Sequence, residues 1–426
     1  MPQLRVKCAN ILKRIFEEKI FFSDLKNQLE AKDLPYVNML VLTSLRHWVR
    51  ASAVVDRYLH KKIPHKHSIA EYLLKSAVCE IMYMETPIYA VVNETVKCVR
   101  QETDRFLAGM VNAVLRQIVN QKDKIADEMR KISPFPAEFK KILHGYDAEQ
   151  IAQMAEIVAL KPSLDITVKE NPLLWQQKLG GILLPNGTVR LESTEKVPQL
   201  TGYSEGQWWV QDAAASLPVQ VIGDVSGKKV VDLCAAPGGK TAQLAALGAD
   251  VTALDVSAER LKILQQNMAR LGFNNVKTVA FDATDFLQNT SEKFDVILLD
   301  APCSATGTWR RHPEVLHIKT MEDVKKQAAI QKQILALCHN VLNVGGILVY
   351  SVCSLSCEEG EKQIGEFLQT QKMFKLLPIT EGKISAYGKW HDKFVAQNGT
   401  ARTLPCYEKN SSGMDGFFIC KMQRIN

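Results

Sequence analysis

Ten cysteines stand among the 426 residues, yet no two form a Cys-x-x-Cys pair. Zinc sites are usually built on that spacing, so no metal is expected. No run of 18 apolar residues occurs, which excludes an ordinary membrane-spanning helix. The opening, Met1 to Lys7, lacks an apolar leader. The reading is a cytoplasmic protein with reduced thiols, of which Cys79, Cys98, Cys338 and Cys420 are expected to be small buried hydrophobes. Two nucleotide-binding patterns are also missing. A P-loop needs glycine five residues before Gly239, where Cys234 stands. The dinucleotide pattern fails because Ala235, Ala236 and Pro237 occupy the positions that need glycine. A pyrophosphate cradle is thereby excluded.

What is present suggests two or three domains with real cores, the chain being 46% hydrophobic. Charge is uneven. Residues 1–120 carry 18 Lys/Arg against 12 Asp/Glu, which is +6 of the chain's +7 and favours a polyanionic partner. Residues 1–125 read as an all-helical domain. Leu107, Met110, Val111, Val114, Leu115 and Ile118 keep helical spacing, as do Ala70, Leu73, Leu74, Ala77, Val78 and Ile81. A further helix is expected from about Leu40 to Leu59, with turns at Asp33-Leu34-Pro35 and Ile63-Pro64. The basic stretch from Arg57 to His67, which includes His60, His65 and His67, suits phosphate binding or a solvated turn. Residues 126–205 read as a connector or small α+β subdomain, with a hinge at Ser133-Pro134-Phe135-Pro136 and short strands near 165–168 and 181–184.

From 206 to 426, strands near 229–234, 250–255, 276–281, 294–300 and 346–352 alternate with helices near 241–247, 257–271, 321–342 and 358–370. Ser257 is placed to cap the second of these helices. This alternation, with continuously apolar strands, predicts an α/β Rossmann-like domain with a doubly wound, mainly parallel sheet. Ligands bind at the carboxyl ends of such strands. The first strand runs into Cys234-Ala235-Ala236-Pro237-Gly238-Gly239-Lys240, a tight turn that lets backbone approach a ligand. Asp255 closes the second strand, where a carboxylate can accept both hydroxyls of a ribose. Asp282, after the third, can accept from an adenine amine. Adenosine without a phosphate grip points to S-adenosyl-L-methionine. Cys303 and Cys353 each sit just past a hydrophobic strand, and thiols at that edge suggest nucleophilic catalysis.

Asp232 to Thr241, Asp300-Ala301-Pro302-Cys303-Ser304-Ala305-Thr306-Gly307 and Arg310-Arg311-His312-Pro313 resemble motifs of the RNA 5-methylcytosine methyltransferases. Gln211-Asp212-Ala213 and Asp415-Gly416-Phe417-Phe418 are similar too. Val92 to Val96 and Val111 to Arg116 resemble the NusB-like helical extension of one branch, so the likeness covers nearly the whole chain. It implies a NusB-like RNA-binding domain over 1–125 and a class I methyltransferase domain over 206–426. It implies 16S ribosomal RNA as partner; no DNA and no membrane partner is expected, and nothing in the sequence sets the oligomeric state, for which a monomer is the working expectation. It also implies that residues 234 to 240, Asp255, Asp282 and Asp300 contact or frame the cofactor. Cys353 would be the nucleophile and Cys303 would assist product release. Asp300 would sit beside the base, with Lys240 organising it. The chain departs from the family at Val352, usually Thr, at Cys357, usually Pro, and at Ile166 to Lys169, where Arg-Val-Asn is usual.

Cytosine C5 is a poor nucleophile. A thiolate adding to C6 makes C5 enamine-like, and an acid near N3 stabilises the charge that develops. The target atom lies within a base stack, so the base must be unpaired or extruded. Arg310, Arg311 and His312 are placed to hold phosphates there. Two other readings compete. An RNA amino-methyltransferase would carry an aromatic where Cys303 stands and would not need Cys353. A non-catalytic, antitermination-like RNA binder would not need the cofactor and cysteine motifs.

Overall fold

The structure is a computed structural model that describes all residues except 1, 60, 193–195, 381–385, 387–389 and 391–393. The chain divides into two units, Met1–Leu160 with Arg311–Thr320, and Lys161–Arg310 with Met321–Asn426. The expected connector, 126–205, is therefore split between them.

The first unit is helical, and its helices begin where local chemistry dictates. Asp104 accepts from the Leu107 amide at 2.8 Å and opens the helix Arg105–Asn120. That helix buries Leu107, Ala108, Val111, Val114, Leu115 and Ile118 against Ser68–Tyr83 and Ile88–Glu102. Asp33-Leu34-Pro35 starts the 25-residue helix Leu34–Tyr58, with Pro35 in the first turn, where its missing N–H is not needed. The segment read as a hinge, Ser133–Pro136, turns the chain between two helices. Phe135 is fully buried there, its ring 5.8 Å from that of Phe139. Arg311–Thr320 contributes Ile318 to the core formed by Leu12, Ile15, Leu40 and Trp48. His317 bonds the Leu45 carbonyl at 2.7 Å, and burial pushes its pKa down to about 4. His60, part of the basic stretch, lies outside the described residues.

The second unit holds two sheets. Strands β1 (Leu164–Val168), β2 (Ile182–Leu183), β3 (Val189–Leu191) and β4 (Trp208–Val210) form a small antiparallel sheet in the order β2-β3-β1-β4. Because β4 pairs with β1, this sheet extends past residue 205. The large sheet contains β5 (Lys229–Leu233), β6 (Asp250–Asp255), β7 (Lys277–Ala280), β8 (Phe294–Asp300), β9 (Leu342–Val352), β10 (Phe374–Leu376), β11 (Ala401–Arg402) and β12 (Phe418–Arg424). Its order is β10-β12-β9-β8-β5-β6-β7, with β11 against β12. Strands β5 to β9 are mutually parallel, and β12 is antiparallel to β9. Alternate residues feed two cores. Val231, Leu233, Ile297, Leu299 and Leu348 face one, while Val230, Val251, Val296, Leu298 and Val349 face the other. This two-sided burial explains the unbroken apolar runs. The chain steps from β5 outward through β6 and β7, then returns to β8 on the other side of β5. The switch point, where such sheets bind ligands, lies between β5 and β8. Among the described residues no helix is long and apolar enough to cross a membrane.

Candidate active site

Five parallel strands end at this edge, and the glycine-loop residues, Asp255, Asp282, Asp300, Cys303 and Cys353 all follow or close one of them. After β5, Cys234 takes a positive φ of 63°, Ala236–Pro237 is a cis peptide, and Gly238 has φ 103°. A Cβ on Gly238 would lie 2.7 Å from Leu264 Cγ, so both conformation and space require glycine. The Ala235 amide donates to the Leu254 carbonyl at 2.8 Å and ties the loop to β6. Asp255 is 2% exposed. Its oxygens accept from the Ala236 amide at 3.1 Å and the Ser257 amide at 2.9 Å, and Arg260 stands 3.4 Å away. Ser257 caps the next helix as expected. Asp282 caps the helix Ala283–Asn289 through Oδ1, accepting from the Thr284 and Asp285 amides. Its hydrogen bond from the Thr284 hydroxyl holds its carboxyl below the usual range.

Two apolar side chains that the sequence reading did not single out stand open beside these acids. Val256, next to Asp255, is 72% exposed, and Phe281, next to Asp282, is 45% exposed. In sequence the only signal is an apolar residue directly after Asp255 and another directly before Asp282. The set comprises acceptors for hydroxyls and an amine, two open apolar side chains and a close-approaching glycine loop. It suits an adenosine that carries no phosphate.

Lys240, in the first turn of the helix Gly239–Ala246, spans the switch point. Its Nζ lies 2.6 Å from Asp300 Oδ2 and 5.1 Å from the centre of the Phe417 ring. Asp300 Oδ1 accepts from the Ser351 hydroxyl at 2.8 Å. Below the pair, Asp232 is buried with the Thr241 hydroxyl on one oxygen, and burial pushes its carboxyl up to about 7. Cys303 and Cys353 are both half-buried, with their sulfurs 3.3 Å apart. The parallel register of β8 and β9, Asp300 against Ser351, sets the two following loops side by side. The hydrogen bond with Cys353 and burial raise the Cys303 thiol well above its ordinary pKa. Burial pushes the Cys234 thiol up to about 12, which makes it a poor nucleophile.

Arg310 is a correction. Instead of facing a phosphate, it is buried, 3.3 Å from Asp212 and 3.5 Å from Asp415, and it donates to the Ser412 carbonyl at 2.9 Å. Asp212 also caps the helix Ala213–Ile222 and accepts from the Asp415 amide at 3.0 Å. Arg311 and His312 belong to the helical unit, where His312 lies 3.6 Å from Glu314. The departures have local reasons. Val352 is buried in the sheet core, and Lys169 donates to the Leu271 carbonyl at a helix C-terminus with its ammonium 4.9 Å from the Phe273 ring centre.

The family model for 16S rRNA methyltransferase RsmB/F matches residues 219–423, and that for the NusB family matches residues 3–120. Ribosomal RNA small subunit methyltransferase B of Pasteurella multocida is 30% identical, over 99% of this chain and 96% of its own length. Among solved structures, that of PH0851 superposes with a TM-score of 0.76 at 21% identity, covering 100% of this chain and 99% of its own. That of NSun6 from Pyrococcus horikoshii with SFG gives 0.57 at 20% identity, covering 68% and 99%. A helical domain followed by a mostly parallel sheet, with near full-length likeness to a curated enzyme, places this chain in the ribosomal RNA small subunit methyltransferase B family of S-adenosylmethionine-dependent RNA methyltransferases.

Proposed function

We propose that this protein methylates C5 of a cytosine in 16S ribosomal RNA through a covalent bond between Cys353 and C6. The observation that carries this reading is the pair of sulfurs 3.3 Å apart at the edge where Lys240 and Asp300 meet. Cys353 attacks as thiolate, the C–S bond forms, and the C5=C6 electron pair moves onto C5. When bound, S-adenosylmethionine would supply an electrophilic methyl on a sulfonium, and the pair on C5 would bond to that methyl as the methyl–sulfur bond breaks. Val256, Phe281, Asp255 and Asp282 would hold its adenosine, and residues 234 to 240 would approach it as backbone. Asp300, held by Lys240 and Ser351, accepts from the amine of the base, and the Lys240 ammonium offsets charge developing on the ring. The C5 proton then passes to water and its bonding pair restores C5=C6. The C6–S bond breaks, and the Cys303 S–H hydrogen-bonds the departing Cys353 thiolate. A nitrogen target already carries a lone pair and would need neither thiol.

The RNA reading of the helical unit has its own support. Tyr89 is 73% and Phe106 80% exposed. Tyr89, Asn93, Lys97 and Arg100 share one exposed stripe of their helix, and Arg105, Gly109, Ala113 and Arg116 share one on the next. The four cations make no ion pair among the described residues. Aromatic rings beside free cations suit stacked bases and phosphates.

The test is a pair of thiol variants incubated with cofactor and RNA. Cys353→Ala should give neither methylation nor a covalent complex. Cys303→Ala should methylate and then retain the RNA through denaturing electrophoresis, and the double variant should lose that band. The reverse pattern would exchange the two roles. Methylation intact in both, without any complex, would favour transfer to nitrogen.

A further inference from the structure

Glu359 is fully buried, and the chemistry above does not use it. Its Oε1 accepts from the Ser304 amide at 2.8 Å and from Gln331 Nε2 at 3.0 Å. Its Oε2 accepts from the hydroxyls of Ser304 and Ser354. Ser304 follows Cys303 and Ser354 follows Cys353, so one carboxylate is bonded to the residue after each thiol. Thr306 closes the ring. Its Oγ1 lies 3.0 Å from Ser354 Oγ and 3.2 Å from Ser304 Oγ, and it accepts from the Leu355 amide at 3.0 Å. The Gly307 amide donates to the Cys353 carbonyl at 2.9 Å.

Four donors fill the acceptor capacity of a carboxylate. No cation pairs with Glu359 among the described residues. Burying an anion among neutral donors is unfavourable, and packing alone would be met as well by an apolar side chain. What an apolar side chain cannot do is fasten two loops to one point.

We propose that Glu359 is a positioning residue that fixes the Cys303 loop against the Cys353 loop and so sets the distance between the two thiols. This rests on the covalent reading above. The step it serves is release, in which the C6–S bond breaks, its electron pair leaves with Cys353, and Cys303 must be in place to hydrogen-bond the departing sulfur. Loss of Glu359 should therefore slow release more than attack.

The experiment uses full-length protein with S-adenosylmethionine and 16S ribosomal RNA. It measures covalent protein–RNA on denaturing gels over time, with thermal melts of each variant. Glu359→Ala should accumulate adduct on the order of tenfold above wild type, since small misplacements of reacting groups carry rate losses of that size or more. Glu359→Gln should rescue release. Its amide oxygen still accepts from the Ser304 amide and Gln331, and its NH2 donates to two hydroxyls that can turn. A merely destabilised enzyme would turn over less and show no excess adduct. Folded Glu359→Ala with adduct at the wild-type level, or Glu359→Gln as defective as Glu359→Ala, overturns the proposal. If Glu359→Ala does not fold, Ser354→Ala, which leaves Glu359 bonded on the Cys303 side but removes its hydroxyl partner on the Cys353 side together with that hydroxyl's bonds to Thr306, Ser304 and the Ser356 amide, carries the same expectation. Adduct in Cys303→Ala but none in the Glu359 and Ser354 variants counts against this inference alone. No adduct in Cys303→Ala sinks the covalent reading, and this inference with it.

Discussion

Asp255 already accepts two backbone amides, one from the glycine loop and one from the start of the next helix. A carboxylate has about four acceptor positions, so capacity remains for ribose hydroxyls, with the Arg260 guanidinium 3.4 Å away as the competing donor. The amides fix its orientation before any ligand arrives, and a hydrogen bond to a charged acceptor is stronger than a neutral one. Asp255→Ala should weaken S-adenosylmethionine binding by about 1.5–3 kcal/mol, the range for a hydrogen bond to a charged group. The substitution also frees the Ala236 amide, so Asp255→Asn is the useful companion because it preserves size and one acceptor. Titration calorimetry decides the matter. Unchanged affinity in Asp255→Ala would mean that the loop holds the cofactor without this acid.

At the level of elements, Arg310 separates what local sequence can tell from what it cannot. Its position just after the β8 loop, in a basic Arg-Arg-His turn, makes a phosphate partner the natural reading. Its acidic neighbours, Asp212 and Asp415, lie about a hundred residues away on either side in sequence, and no local pattern joins them. Strands β5, β6, β8 and β9 were legible because burial on both faces writes a continuous apolar run, whereas β7, at the sheet edge with no buried residue, was placed by the alternation of strands with helices. Strands β10, β11 and β12 were not. They are short or mixed in burial, and their antiparallel pairing is set by partners distant in sequence, such as Phe418 opposite Val352. The glycine loop, Asp255, Asp300 and both cysteines could be read from their places at strand ends. Glu359 could not, because its function is a set of hydrogen bonds to loops some 5 and 55 residues upstream. Arg310→Ala leaves Asp212 and Asp415 buried without their guanidinium. It should lower stability by about 3–5 kcal/mol, the usual effect of removing one partner from a buried pair. Urea unfolding of the full-length protein measures this. A loss of RNA affinity with unfolding unchanged would restore the phosphate role.

Over the whole molecule, the charge split suggests assigning RNA affinity to the helical unit by deleting residues 1–125, but the structure argues against that cut. Residues 126–160 and 311–320 belong to the same unit, and Ile318 packs in a core made of residues from the first two long helices. Deletion would strip that core from what remains, and a drop in activity would then report unfolding. Surface substitutions in the intact chain avoid the difficulty. Replacing Lys97, Arg100, Arg105 and Arg116 by Gln should weaken RNA binding. It should also flatten the dependence on log salt by about 0.7 for each single-strand phosphate that is no longer neutralised. Replacing Tyr89 and Phe106 by Ala should weaken binding by about 1–3 kcal/mol per stacked base while leaving the salt slope unchanged, because stacking releases no counterions. Cofactor affinity should stay constant in both sets, since every residue assigned to the cofactor belongs to the other unit. Filter binding across a salt series distinguishes the outcomes. If neither set changes affinity or slope, the positive charge of the first 120 residues serves something other than holding RNA.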